Sequence, residues 1–183
     1  MKNYENSADK HSLLLYKAIE ENDIKTIKRL VNKGININMV NEFGETPLHS
    51  AASCGRTDIA KYFIELGANV NAKDMDGFTP LHDTVFLGYT NTAKCLIENG
   101  ANVDVKNNSN ATPLHYAASQ GCEKIVKFLI ENGATLNVKN KGGCTPLNLA
   151  IANKHKQIVE YLVEHGAKID SASKASGCFE LVK

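Results

Sequence analysis

The chain is predicted to be an all-α solenoid, a row of stacked helix–turn–helix units, and three observations carry that prediction. The triplet Thr-Pro-Leu occurs at residues 46–48, 79–81, 112–114 and 145–147, a spacing of 33 residues each time. Self-similarity at a fixed period of this length is the signature of a repeat architecture. All four prolines of the chain stand in these triplets, so none interrupts a helix elsewhere. Glycine keeps the same beat: Gly67, Gly100, Gly133 and Gly166 each precede an alanine, and Gly55, Gly88 and Gly121 recur twelve residues before the first three of them.

Residues 1–11 are expected to be a flexible N-terminus. Residues 12–40 read as a degenerate N-terminal cap unit opened by Ser12, with Leu15, Ala18 and Ile19 in core places. Asn22 stands there where later units have the mid-unit glycine, and asparagine is the non-glycine residue best suited to a left-handed backbone. Four regular units follow at 41–73, 74–106, 107–139 and 140–172. In each, the triplet threonine can cap a helix with its hydroxyl, and proline next to it has its φ preset and no N–H to leave unpaired. Small residues such as Ala51 and Ala52 then allow close helix approach, and the glycine after them ends the helix in a left-handed turn. The second helix shows apolar spacing, as in Ile125, Val126, Phe128, Leu129 and Ile130. It stops at the Gly-Ala pair, and a segment such as Ala68-Asn69-Val70-Asn71 runs extended into the next turn.

Unit four is the least regular, with Asn148 in place of the recurring histidine and Lys154 in place of the mid-unit glycine. In unit three, Asn110 replaces a turn glycine. Residues 173–183 resemble the opening of a further unit, and Phe179, Leu181 and Val182 are expected to fold back as a truncated C-terminal cap, which a solenoid end requires.

The turn, the TPLHxA helix start, the second helix and the GAxVN-like segment together resemble the ankyrin repeat, over the whole of 41–172. The resemblance implies an ankyrin-repeat solenoid whose units are joined by β-hairpin-like turns. It also implies a protein–protein interaction module, working through turn tips and the first-helix face that lines a concave groove.

Composition narrows the function classes. A net charge of +1 gives no general argument for nucleic acid or an anionic membrane. The charge is unevenly spread: 41–138 holds seven Lys/Arg against eleven Asp/Glu, whereas 1–40 and 139–183 hold seven against five and seven against four. The centre is therefore acidic between basic ends. Five cysteines without a CxxC pair favour free thiols in a reducing compartment. No secretory signal or membrane-spanning apolar run is evident, which points to a cytoplasmic protein, or one acting inside a host cell after delivery there.

No catalytic, cofactor-binding or metal-binding residues are assigned. His49, His82 and His115 recur at the period, but neighbours of that kind stand about one repeat step apart, ~10 Å by helix-packing distances, too far to share a zinc ion through ~2 Å bonds. They read as hydrogen-bonding links between units. Lys141-Gly142-Gly143-Cys144-Thr145 lacks the spacing of a phosphate loop and falls on the repeat's own turn. The expectation is a non-enzymatic chain without cofactor, a monomer that binds protein.

By the resemblance, the variable positions of the units form the partner surface. Its candidate residues are Glu42, Phe43, Glu45, Met75, Asp76, Phe78, Asp83, Phe86, Leu87, Tyr116 and Gln120. Unit two breaks pattern, carrying Phe86-Leu87 where its neighbours carry Ser53-Cys54 and Ser119-Gln120. Two readings of Phe86 stand open: an exposed anchor for a partner, or a ring packed inward to compensate for Thr84 and Val85. Acidic residues around the apolar centre favour a partner with a basic and apolar surface and disfavour nucleic acid. The alternative is a structural subunit of an assembly, using its convex helices or its basic last unit, or an effector delivered into a host cell.

Overall fold

The structure, a computed structural model, describes residues 7–168; the expected cap at 173–183 lies outside the described residues. Ten helices and no strand are found among them. The first pair is α1 (Ser7–Glu20) and α2 (Ile24–Asn32), followed by α3 (Pro47–Ser53) with α4 (Thr57–Glu65) and α5 (Pro80–Phe86) with α6 (Thr90–Glu98). The last two pairs are α7 (Pro113–Gln120) with α8 (Glu123–Glu131) and α9 (Pro146–Ala152) with α10 (Lys156–Glu164). The odd-numbered helices stack on one another in one layer, and α4, α6, α8 and α10 stack in the other.

Each regular unit starts where its chemistry directs. Thr46, Thr79, Thr112 and Thr145 are extended caps, and the helix begins at the proline after each. The apolar positions meet in one continuous core. Leu48, Leu81, Leu114 and Leu147 are buried, and Ile59, Phe63, Leu96, Ile125, Leu129, Ile158 and Leu162 face them from the second helices. Burying such a side chain is worth roughly 1.5–3 kcal/mol over leaving it in water, so the core holds the stack together more than any polar contact does. Thr84 takes an alanine's place in unit two without penalty, because its buried hydroxyl donates to Leu81 O at 2.9 Å.

The histidines are links, as their spacing predicts. Nδ1 of His49, His82 and His115 accepts the backbone N–H of its own cap threonine at 3.1, 3.2 and 3.1 Å. That leaves Nε2–H to donate to a carbonyl one unit on: Phe78 O at 3.3 Å, Ala111 O at 3.3 Å and Cys144 O at 3.1 Å. Two further tracks cross the same seams. Turn tips join through Met75 N–H to Phe43 O, Asn108 N–H to Asp76 O and Lys141 N–H to Ser109 O. On the other side, Asn38 and Asn71 accept from the Asn69 and Asn102 amides, while Asp104 and Asn137 accept from those of Thr135 and Lys168.

Left-handed backbone occurs where the period requires it. Asn22 and Asn110 have φ of 58° and 57°, as read from the sequence, and Lys154 is held at 61°. Gly121, at φ 75°, has a second reason to be glycine: a Cβ there would lie 2.7 Å from the ring of His155, which bonds Ser119 O at 2.9 Å.

One expectation needs correction. Helix α1 already runs from Ser7, so the helix of the cap unit begins inside the stretch assigned to a flexible N-terminus at 1–11. Ser12 lies within it instead of capping it, its hydroxyl directed to Met39 Sδ at 3.3 Å. Cys54, Cys95 and Cys122 are free thiols.

Candidate functional site

The residues proposed from the sequence divide into turn-tip and helix-borne groups. Each turn is built around one residue whose side-chain oxygen gathers the following amides: Asn41 Oδ1 accepts from Phe43 and Glu45, and Asp74 Oδ1 from Asp76 and Phe78. This Asx arrangement fixes the tip and turns the intervening side chains outward. Phe43 is 61% exposed and Met75 69%, adjacent through the Met75 N–H to Phe43 O bond. Glu42 and Asp76 are exposed beside them, while Glu45 is half-buried and its carboxylate accepts from Asn41 Nδ2 at 2.8 Å.

The helix-borne group forms an aromatic cluster across the seam of units two and three. Phe78 lies 5.4 Å from Tyr116 between ring centroids, and Phe86 meets the same ring edge-on at 5.9 Å. His82 closes the cluster at 5.2 Å from Phe78. Such tilted and edge-to-face pairs suit the ring quadrupoles and hold the side chains still. Tyr116 is further fixed by Asn107 Nδ2, which donates to its hydroxyl at 2.8 Å.

The structure excludes a Phe86 ring packed inward. Thr84 and Val85 fill the core places themselves, and Phe86 turns outward with 45% of its surface exposed, next to Leu87 at 47%. Phe78 and Tyr116 are half-buried and act as the floor of the patch. Gln120 is exposed at the far end of α7.

Asp83 stands one turn before Phe86 on α5 and is half-buried. Among the described residues its carboxyl has no hydrogen-bond donor and no cation. Burial, with repulsion from Asp74 and Glu45 added, pushes it up to about 8. Asp74 itself is committed to its turn, in keeping with its omission from the candidate surface.

An exposed apolar residue close to Phe43 in the chain is absent from the sequence candidates. Val40 is 63% exposed, three residues before Phe43. Its signal was available: the equivalent places in the next units are Lys73, Lys106 and Lys139, so a lysine of the pattern has become apolar beside the patch.

Among the described residues, no three His, Cys, Asp or Glu side chains converge as a metal site needs. The hollow between α7 and α9, with Tyr116, Ser119 and Leu149 in its wall, has a volume of about 40 Å³, room for a water molecule, while open clefts beside Leu30 and Met39 and beside His155 and Glu160 reach about 470 and 530 Å³. No described helix is long and apolar enough to cross a membrane.

Comparison with known proteins follows the same lines. Residues 14–107 and 88–173 match the family model described as ankyrin repeats (3 copies). The chain is also 44% identical over 55 residues to a protein of Fowlpox virus (strain NVSL) named as an ankyrin repeat protein. That match takes in 30% of this chain and 39% of the relative, so it spans well under half of the viral protein's length.

Proposed function

Because the chain belongs to the ankyrin-repeat family, whose members are generally protein–protein interaction modules, we propose that it acts as a non-enzymatic scaffold, adaptor or inhibitor that docks a protein on the first-helix and turn-tip side of units one to three. One observation supports this reading above the others. Phe43, Met75, Phe86 and Leu87 are exposed on consecutive tips and one helix, whereas most large apolar side chains of these units are buried. Rigid aromatic and Met side chains of this kind are what interaction hot spots use.

The acidic residues Glu42, Glu45, Asp76 and Asp83 border the patch, so the partner presents a basic and apolar face. Phosphate backbones would meet like charge there. The partner is reached inside a cell, with the repeat chain as a single copy.

The reading is tested by placing a photo-crosslinking residue at Met75 or Phe86, and separately at Lys156, and capturing partners from lysate of the source organism. Adducts from the first two positions and none from the third are expected. Adducts formed only at Lys156 would move the site to the basic last unit.

A further inference from the structure

The surface just proposed contains one half-buried carboxyl that no protein group meets among the described residues. Every other buried or half-buried acid of units one and two is engaged. Glu45 accepts from Asn41, and Asp74 accepts two amides of its own turn. Asp83 alone has no donor among the described residues, although Glu45 and Asp74 stand near it and both repel its charge. A carboxylate in that position costs stability and earns no contact in return, since desolvated charge without a partner is unfavourable. Its oxygens still reach solvent, so a group arriving from outside can meet them.

The surroundings specify that group. Phe86 lies one helical turn along and is exposed, with Tyr116 and Phe78 behind it, so an alkyl stem can lie on the aromatic cluster while its head reaches the acid. Three carboxyls and no cation select a positive head. Aromatic faces reinforce that choice, because a ring quadrupole attracts cations. An apolar or acidic side chain would leave Asp83 as unpaired as it is in the free protein, and a neutral donor would leave its charge, and that of its acidic neighbours, uncompensated.

We propose that Asp83 is the seat for one arginine or lysine side chain of the protein partner, with Phe86 and Tyr116 as the wall for its stem. The inference rests on the partner surface proposed above and names the chemistry at its centre. It divides the surface into two parts: an apolar rim of Phe43, Met75 and Leu87 that supplies area, and a single ionic contact that supplies register.

The test is a selection of a random twelve-residue peptide library, displayed on phage, against the full chain, followed by affinity measurements on the synthesised consensus peptide. Peptides carrying arginine or lysine at one fixed position beside an apolar residue are expected. The consensus should lose tenfold or more on Asp83→Asn, and a similar factor when citrulline replaces its arginine or norleucine its lysine. The two losses should not multiply when combined, because they remove the same contact. Asp83→Asn keeps the size of the side chain and removes its capacity to ionise, so a thermal melt no lower than that of the parent is expected. Peptides that depend on Phe86→Ala but carry no fixed cation, or that bind Asp83→Asn within twofold of the parent, would overturn this inference and leave the surface reading standing. A selection whose peptides ignore Phe86→Ala and Met75→Ala, or that recovers none, would overturn both.

Discussion

Lowering the pH from 7.5 to 5.0 should loosen the seams between units, through the histidines that tie them. Burial is the main reason that the rings of His82 and His115 are held down at about 4, against an ordinary 6.5, and His49 is lowered in the same way. A depressed imidazole binds its proton in the unfolded chain first. The stability that it contributes is therefore complete above 6.5 and is lost as the pH falls from there toward 4. At pH 5.0 each of the two rings then costs about 2 kcal/mol, so the pair costs about 4, a large share of a typical domain's 5–15 kcal/mol. Asp83 works in the opposite sense. With its carboxyl raised to about 8, the folded state takes the proton first, and the same acidification returns at most about 3 kcal/mol. The parent chain should consequently show a shallow pH dependence that conceals two steep ones. Urea unfolding followed by helical circular dichroism, on chains carrying Asp83→Asn, separates them: stability should fall by about 4 kcal/mol between pH 7.5 and 5.0. Adding His115→Asn should halve that fall, because Asn148 shows that asparagine can serve the cap, accepting Thr145 N–H at 2.9 Å without titrating. A fall below about 1 kcal/mol in the Asp83→Asn chain, or one that His115→Asn leaves unchanged, would refute the reasoning.

Two further predictions concern the mid-unit turn. Lys154 is held at φ 61°, where a side chain is strained, so Lys154→Gly should raise stability by about 0.5–1 kcal/mol in the same urea assay. Gly121→Ala meets both a left-handed backbone and the His155 ring 2.7 Å away, and should lower the midpoint by the equivalent of about 2 kcal/mol while leaving Phe86 and its neighbours in place, as judged by their NMR shifts.

What the sequence discloses about this molecule is whatever repeats. Thr-Pro-Leu marks the starts of α3, α5, α7 and α9 to the residue, because a cap hydroxyl and a preset φ are local chemistry. The left-handed Asn22 and Asn110 are legible for the same reason. The cap unit lacks the triplet, and there the reading misplaced the start of α1 by several residues. The candidate surface was legible only as a list of positions. That Phe86 turns outward depends on Thr84 satisfying its own hydroxyl and on the Tyr116 ring, thirty residues on, that receives its edge. That Asp83 is unpaired depends on Glu45 and Asp74 being nearby and already engaged, which no spacing along the chain reveals.

The direction of the histidine links has a consequence for how such a chain can lengthen or shorten. Each seam sends a proton donor forward and receives it on a turn carbonyl, so a unit is a matched plug and socket. At the leading end the socket of unit one, Glu45 O, is filled by the Tyr16 hydroxyl at 2.8 Å. At the trailing end Asn148 holds its cap but leaves Nδ2 buried with no partner among the described residues. Insertion or removal of 33 residues, cut anywhere in the period, restores every plug to a socket, whereas a change of one residue leaves a whole seam mismatched. Variation in length is thus confined to whole units, while turn tips such as Phe43 and Met75, which take part in the seam through their backbone alone, are free to change letter by letter.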